Sequence, residues 1–436
     1  MRPRATSMAR GRVHSPVMQK PYAPIPRALA ELALGQAAQA GASIAQLDLL
    51  RARLYSPPPA PGDLVERASA VASELGIGDA WRKIDSARFT FIDLFAGIGG
   101  MRLGAELAGG RCLQSVEWDA ACQATYHQNF GETPDGDITT MKPRSKRFRA
   151  HDLLLAGFPC QAFSIAGKKG GFEDTRGTLF RDVAEVIAAK KPAAFILENV
   201  KGLVLHDKRR TLPVILNTLK GSTVKYHLVA PSLDAKLSAR GWAVLNALDF
   251  GVPQHRERIF IVGFRDKKAA ERFAFPTPTT PGDARRTLQD ILEDGPSWNT
   301  PVNARHFISD KYLTGLKRHR AHHESKGQGF GYEIRSHDGH ANAVVVGGMG
   351  RERNLVQAQK PAAAGTEELL KSARNDAGVR RMTPREWARL QGFPEWFQPH
   401  PTDTHGYKQF GNAVAVPVVQ AVVEEVLRAL EGANVR

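Results

Sequence analysis

Short apolar runs recur along the middle of the chain, and each stops at a residue that can take part in chemistry. The runs end at the glycine turn after Phe95, at Glu117, near Cys160 and at Glu198. Apolar runs alternating with helix-like stretches are typical of parallel strands, and the carboxyl ends of such strands share one edge of the sheet. The order of these runs therefore predicts an open α/β fold with a ligand site along that edge.

The first of these turns, residues 95–100, reads Phe-Ala-Gly-Ile-Gly-Gly and is followed by a helix-like stretch at 101–107. Glycines at a strand-to-helix turn let the backbone approach a ligand closely, with the first helical amides pointing at it. The spacing matches neither the dinucleotide fingerprint nor a P-loop, which disfavours a dinucleotide or a nucleoside triphosphate. Taken alone, the segment is equally typical of an ordinary tight turn.

Acidic and aromatic residues follow the next two predicted strands. Glu117 at the tip of the second strand is placed to accept from both hydroxyls of a ribose, and Trp118 offers a face for an adenine. Asp137 and Ile138 fall where a third strand should end, within reach of the adenine amino group. These positions predict a site for an adenosine-containing ligand.

A cysteine and a carboxylate follow the two strands after that. Cys160 comes after a Phe-Pro turn, where a thiolate is positioned to act as a nucleophile. By itself it is also compatible with a small buried residue, as Glu198 is with a structural cap. The glycine- and lysine-rich stretch 167–171 is either a mobile phosphate-binding loop or merely an exposed one. Only the succession of strand ends favours chemistry over these simpler interpretations.

Two arginines, Arg256 and Arg258, share one side of an extended segment and are suited to hold a phosphate or a base carbonyl. Between about 266 and 376 the periodicity fades, which indicates a separate, irregular domain. Histidines 319, 322 and 323 there have helical spacing, and a basic helix face explains them better than a metal site. No metal ion is therefore expected.

Composition narrows the class of partner. The 436 residues include 60 Lys and Arg against 44 Asp and Glu, a formal net charge of +16, which favours a polyanionic partner. No apolar run approaches the roughly 18 residues that span a bilayer. Three cysteines, of which Cys112 and Cys122 are interpreted as core residues, provide no disulfide framework and indicate a reducing compartment. Residues 1–25 predict a basic arm, and 25–75 a small helical appendage.

Six ordered motifs resemble the cytosine-C5 DNA methyltransferases, most nearly those of the bacterial Dcm type. They span roughly 88–265 and 380–436. The motif strings, in chain order, are Phe-Ile-Asp-Leu-Phe-Ala-Gly-Ile-Gly-Gly at 91–100, Gly-Phe-Pro-Cys-Gln at 157–161, Glu-Asn-Val-Lys at 198–201, Pro-Gln-His-Arg-Glu-Arg at 253–258, Arg-Met-Thr-Pro-Arg-Glu at 381–386 and Gln-Phe-Gly-Asn at 409–412.

The resemblance implies an S-adenosylmethionine site, with S-adenosylhomocysteine as the product. The residues implied to contact the cofactor are Phe95, Ala96, Gly97, Gly99, Gly100, Glu117, Trp118, Asp137, Ile138, Pro159, Leu179, Asn412 and Val414. Those implied to be catalytic are Cys160, Glu198, Arg256 and Arg258.

The resemblance also implies the architecture. The fold class is α/β: a Rossmann-like S-adenosylmethionine-dependent methyltransferase core at 86–265, a smaller irregular target recognition domain at 266–379 and a C-terminal segment at 380–436 that completes the core. Residues 1–85 would form an N-terminal basic arm and helical extension.

The implied function is sequence-specific methylation of cytosine C5 in double-stranded DNA, through a flipped-out base and a covalent bond between Cys160 and C6. An RNA (tRNA) cytosine-C5 methyltransferase and a catalytically inactive DNA-binding regulator remain alternatives. We expect a monomer in the bacterial cytoplasm, associated with the nucleoid and not with a membrane. A cognate restriction endonuclease acting on the same site is a candidate partner. We do not assign this chain the DNA recognition sequence of any family member, because residues 343–355 depart from the family's usual Thr-Leu pattern.

Overall fold

Parallel strands form the centre of the protein, as seen in a computed structural model. The structure describes residues 88–143, 145, 148–159, 179–228, 241–280, 285–329, 331–347, 350–362, 371, 375–395 and 397–433. Cys160, the 167–171 stretch and the N-terminal arm with its appendage lie outside the described residues.

The strands of the core are β1 Phe89–Leu94, β2 Gly110–Val116, β3 Leu153–Gly157, β4 Ala194–Val200, β5 His227–Leu228, β6 Trp242–Asn246, β7 Gln254–His255 and β8 Glu257–Phe264. Within the described residues the central sheet has seven strands in the order β2-β1-β3-β4-β8-β5, with β6 also paired to β8. Strands β1 to β4 run parallel, and β8 is antiparallel to β4, β5 and β6. The carboxyl ends of β1 to β4 therefore lie at one edge.

Helices cover both faces of this sheet because β1, β3, β4 and β8 bury apolar side chains on both sides. The helices of this part of the chain are α1 Gly100–Leu107, α2 Ala120–Phe130, α3 Leu179–Lys190, α4 Thr211–Lys220 and α5 Lys267–Arg272, with a short irregular turn at His206–Arg209. One face packs against α1, α5 and the C-terminal helix Val416–Gly432, and the other against α3 and α4. The result is a three-layer α/β arrangement.

The third strand predicted to end at Asp137 does not form. The segment after α2 makes only a single parallel bridge, between Val116 and Asp135. Ile138 then begins a 3-10 turn, Ile138–Thr140, whose N-terminus is capped by the Asp137 carboxylate. At this outer edge of β2 the bridge is followed at once by the capped turn, so no regular ladder develops.

The region after α5 is built from short, long-range pairings. It contains one 15-residue helix, α6 Asp310–Glu324, although sequence periodicity is weak there. Strand β10 (Ala341–Asn342) pairs with β7 of the core. Strand β11 (Leu355–Gln357) lies between β9 (Ile334–Arg335) and β12 (Val379–Arg381).

The C-terminal segment returns to the central sheet. Helix α7, Pro384–Leu390, begins with a capping box between Thr383 and Glu386. Helix α8 spans Asp403–Asn412, and α9, Val416–Gly432, packs its apolar face on the sheet beside α1. Buried Arg380 bridges Asp294 and Glu386 and so joins this segment to the irregular region. Among the described residues, none of the helices combines the length and apolar character needed to cross a membrane.

Candidate active site

The turn after β1 has a backbone that few sequences can adopt. Phe95 is left-handed with φ 58°, as are Gly97 at 55° and Gly99 at 90°. A non-glycine residue in this region is uncommon and often marks a functional turn. The turn is braced by hydrogen bonds from the Ala96 amide to the Val116 carbonyl and from the Gly99 amide to the Ala96 carbonyl. It delivers the chain to the start of α1 at the carboxyl edge of the sheet.

Glu117, the first residue after β2, is buried and fastened to this turn. Its Oε2 accepts from the Gly97 amide at 2.8 Å and its Oε1 from the Asp119 amide at 2.8 Å. Burial raises the pKa of Glu117, against the lowering effect of these backbone hydrogen bonds. A carboxylate offers about four acceptor positions, so the group can accept from a hydroxyl in addition to these amides.

A cavity of about 190 Å³ opens beside Glu117. Six of the predicted cofactor residues line it, together with three residues that the sequence did not single out. Those six are Phe95, Glu117, Trp118, Asp137, Ile138 and Leu179, and the additional ones are Val116, Gly136 and Thr139. The Trp118 side chain is 74% exposed, an unusual state for a tryptophan and one that leaves its ring face accessible.

The remaining predicted cofactor residues do not line this cavity. Ala96, Gly97, Gly99 and Gly100 form the turn beside it, and Pro159 is exposed just after β3. Asn412 is exposed at the end of α8. Val414 is buried, and its backbone and side chain approach Gly100 so closely that a Cβ there would lie 3.1 Å from the Val414 carbonyl oxygen.

Glu198 and Arg258 form an ion pair farther along the same edge of the sheet, at the end of β4. Glu198 lies opposite Gly157 in the β3–β4 register, and Arg258 is on β8 opposite Val200. The Arg258 Nε is 3.2 Å from Glu198 Oε1, with both side chains about 85% buried. Burial raises the pKa of Glu198, and the charges of Arg258 and Arg256 oppose that rise. The carboxyl group is thereby held near Gly157, three residues before Cys160.

The guanidinium of Arg256, for which the resemblance implies a catalytic role, is engaged by the backbone, and the catalytic role stays a prediction. Arg256 is 1% exposed, and its two terminal nitrogens donate to three backbone carbonyl oxygens. Burial lowers the pKa of Arg256, as does the charge of Arg258, while Glu198 opposes the change. A side chain so engaged cannot reach a substrate without losing these bonds.

Asn199 is a site residue that the sequence analysis quoted in a motif without assigning a role. It is buried, and its Nδ2 donates to the Phe158 carbonyl at 2.8 Å, which fixes the chain leading to Cys160. Its place directly after Glu198 was the available signal. In the described part of the chain, no cluster of three or more His, Cys, Asp or Glu side chains could hold a metal ion.

Solved structures with the same architecture identify the fold. The S. pombe Dnmt2 methyltransferase superposes with a TM-score of 0.54 at 18% identity, covering 79% of this chain and 99% of that one. A putative DNA modification methyltransferase from an E. coli prophage gives 0.53 at 21% identity, covering 78% and 99%. The sheet, its flanking helices and this likeness establish a Rossmann-like methyltransferase fold.

Sequence comparison identifies the family. The C-5 cytosine-specific DNA methylase model matches residues 89–428. The type II methyltransferase M.HpaII of Haemophilus parainfluenzae is 50% identical over 343 residues, covering 79% of this chain and 90% of the relative. M.HhaI of Haemophilus parahaemolyticus is 39% identical over 335 residues, covering 76% and 92%. The chain belongs to the C-5 cytosine-specific DNA methylase family and is a DNA cytosine-C5 methyltransferase.

Proposed function

We propose that this enzyme transfers a methyl group from S-adenosylmethionine to C5 of a flipped-out cytosine in a specific duplex DNA sequence, through a covalent bond between Cys160 and C6. One observation carries the proposal: the cavity beside Glu117 and the Glu198–Arg258 pair share the carboxyl edge of the same sheet. Strand β3, which leads to Cys160, lies between β1 and β4 and so between the two. Such an edge can bring a cofactor, a nucleophile and a carboxyl group together.

The cavity fits an adenosine. The Trp118 ring provides a stacking face, and the Glu117 carboxylate has acceptor capacity for a ribose hydroxyl. Asp137 lines the same cavity, where we assign it to the adenine end of the ligand. When bound there, S-adenosylmethionine supplies an electrophilic methyl group on its sulfonium sulfur. Asn412 would approach the ligand from the C-terminal segment.

Cytosine C5 is too weak a nucleophile to accept a methyl group unaided. Addition of the Cys160 thiolate to C6 forms an S–C6 bond and moves electron density onto C5. Glu198, whose pKa is raised by burial, provides a proton to N3 of the ring. Arg258, paired to that carboxylate, is placed to bind the base carbonyl or a phosphate.

The reaction then completes with all atoms accounted for. C5 attacks the methyl carbon, and the methyl–sulfur bond breaks to leave neutral S-adenosylhomocysteine. Loss of the C5 proton to water or a nearby base and expulsion of the thiolate restore the ring, and Glu198 recovers its proton from N3. A cytosine inside the helix is out of reach of these groups, so it must leave the stack at a cost of a few kcal/mol.

Methyl transfer to duplex DNA and to tRNA distinguishes this function from its alternatives. With labelled S-adenosylmethionine we expect 5-methylcytosine in duplex DNA and no transfer to tRNA. Glu117→Ala should raise the KM for the cofactor at least about tenfold, because the ribose loses this acceptor. Transfer to tRNA alone would establish an RNA enzyme. DNA binding without any transfer would establish an inactive regulator.

A further inference from the structure

The guanidinium of Arg256 joins three segments that are far apart in sequence. Arg256 lies between β7 and β8 in the chain, and its guanidinium donates to the carbonyl groups of Val344, Gly411 and Ala413. These residues are separated from it in sequence by 88, 155 and 157 positions, respectively. We propose that Arg256 is a positioning residue that holds both the DNA-reading region and the Asn412 turn on the catalytic core, so that it supports the binding of DNA and cofactor and not the chemical step. The inference rests on the proposed function for the identity of the two ligands.

One arm of this arrangement reaches the irregular region at Val344. Arg256 Nη1 donates to the Val344 carbonyl at 2.6 Å, and the Val344 amide donates to Gln254 Oε1 at 2.9 Å. Two core side chains thus hold both backbone groups of one residue. The next two residues, Val345 and Val346, are 42% and 46% exposed. The hydrogen-bonded Val344 is therefore followed directly by two exposed apolar side chains.

The other arm reaches the turn between α8 and α9. Arg256 Nη2 donates to the Gly411 carbonyl at 2.9 Å and to the Ala413 carbonyl at 2.6 Å. Asn412 lies between these two acceptors, and its side chain is exposed. Gln391 supports the same turn through a 2.8 Å hydrogen bond from its Nε2 to the Phe410 carbonyl.

The two arms also touch each other. A Cβ added at Gly411 would lie 2.9 Å from Val346 Cγ2 and 3.1 Å from the Val346 amide nitrogen. Such distances leave no room for even one methyl group, so Val345 and Val346 pack directly against the backbone of the Asn412 turn. Because Arg256 bonds to both sides of this contact, its loss should loosen both together.

The chemistry of the side chain explains why arginine stands here. A planar guanidinium can donate to several fixed carbonyls at once, whereas the lysine ammonium is a compact donor on a flexible stem. Removing a buried donor leaves its acceptors unpaired, and that costs more than the net value of the bonds themselves. Gln254 contacts Val344 and the Leu390 carbonyl but is not bonded to the Asn412 turn, which makes it a matched control for one arm.

The test compares Arg256→Met, Arg256→Lys and Gln254→Leu with the wild type. Calorimetry measures the Kd of S-adenosylhomocysteine without DNA, and fluorescence anisotropy measures the Kd of a duplex carrying the target site found by bisulfite sequencing. We expect Arg256→Met to raise both Kd values at least about tenfold, and Gln254→Leu to raise only that of DNA. Arg256→Lys should restore part of both affinities. The kcat is counted per enzyme molecule that can form the covalent protein–DNA adduct on duplex DNA carrying 5-fluorocytosine. In Gln254→Leu it should stay within about threefold of wild type, and in Arg256→Met it should fall by a smaller factor than the two Kd values rise.

Partial misfolding lowers the number of competent sites and leaves Kd unchanged, so it is separable from loss of positioning. The inference is overturned if Arg256→Met lowers kcat per site while both Kd values stay at wild-type levels, or if Gln254→Leu weakens cofactor binding as much as Arg256→Met does. A wild type that neither transfers methyl groups nor forms adducts would refute the proposed function instead. The two binding measurements would still decide the role of Arg256.

Discussion

Three buried carboxyl groups near the carboxyl edge of the sheet owe their altered ionisation to desolvation. Burial raises the pKa of Glu117, Glu198 and Asp93 alike, and each has a different opposing influence. Backbone amides oppose it at Glu117 and arginines at Glu198. For Asp93 on β1 the charge of Arg102 opposes it, yet the pKa still reaches about 8. A carboxyl group in that state is protonated in the folded protein at neutral pH.

Asp93 makes a stability prediction with a definite sign. Between its usual pKa of 3.8 and about 8, the folded protein binds one proton that the unfolded chain has released. Rising pH in that window therefore weakens the folded state, by up to about 1.4 kcal/mol per pH unit from this group. Asp93→Asn removes the contribution. The free energy of unfolding of Asp93→Asn should increase relative to that of the wild type as pH rises, and the difference should become constant above about pH 8.

Denaturant titrations between about pH 5 and about pH 9 measure this difference. A difference between the two proteins that does not vary with pH would show that Asp93 is ionised in the folded state.

At the scale of elements, the site depends on the packing of α1 against α9. Helix α1 begins at the turn after β1, and α9 belongs to the C-terminal segment that follows Asn412. The helices approach so closely at Gly104 that a Cβ there would lie 2.6 Å from the Val419 Cβ and 2.9 Å from the Gln420 amide nitrogen. The position of the turn after β1 is thus coupled to the C-terminal helix.

Gly104→Ala should force these helices apart and cost about 1–3 kcal/mol of stability. The same change at Gly315 in α6 meets no atom within 4 Å and serves as the control. Because alanine favours a helix, Gly315→Ala should be stabilising by about 0.5–1 kcal/mol. Thermal unfolding of both variants measures the contrast, and equal effects at the two positions would show that the close approach does not limit stability.

At the scale of the whole molecule, the sequence predicts best where the signal is local. Strands β1 to β4 follow from the apolar runs that stop at the turn after Phe95, at Glu117, near Cys160 and at Glu198. The strand expected before Asp137 is wrong, because a single bridge and a capped 3-10 turn replace it. Six expected cofactor residues surround one cavity, while their use by the cofactor stays a prediction.

The rest depended on contacts that leave no local pattern. Strands of two or three residues in the irregular region are fixed by long-range pairing, as between β7 and β10, so periodicity cannot reveal them. The same applies to Arg256, whose partners are carbonyl groups and therefore independent of side-chain identity. The domain boundaries at 86–265, 266–379 and 380–436 stay predictions.

The central claim is that Cys160 forms the covalent bond to the target base. The other two cysteines offer internal controls: burial raises the pKa of Cys112 to about 12, and it raises the pKa of Cys122 well above its usual range. Both therefore remain thiols at neutral pH, and a thiol is a poor nucleophile. Any cysteine adduct at neutral pH should consequently depend on Cys160.

The most direct measurement uses duplex DNA with 5-fluorocytosine at the target position. After methyl transfer, fluorine occupies the place from which a proton must leave, so the Cys160–C6 bond cannot be released. We expect a protein–DNA adduct that survives denaturation, requires S-adenosylmethionine, disappears in Cys160→Ser and persists in Cys112→Ser and Cys122→Ser. An adduct formed without Cys160, or full turnover of ordinary DNA by Cys160→Ser, would contradict the account.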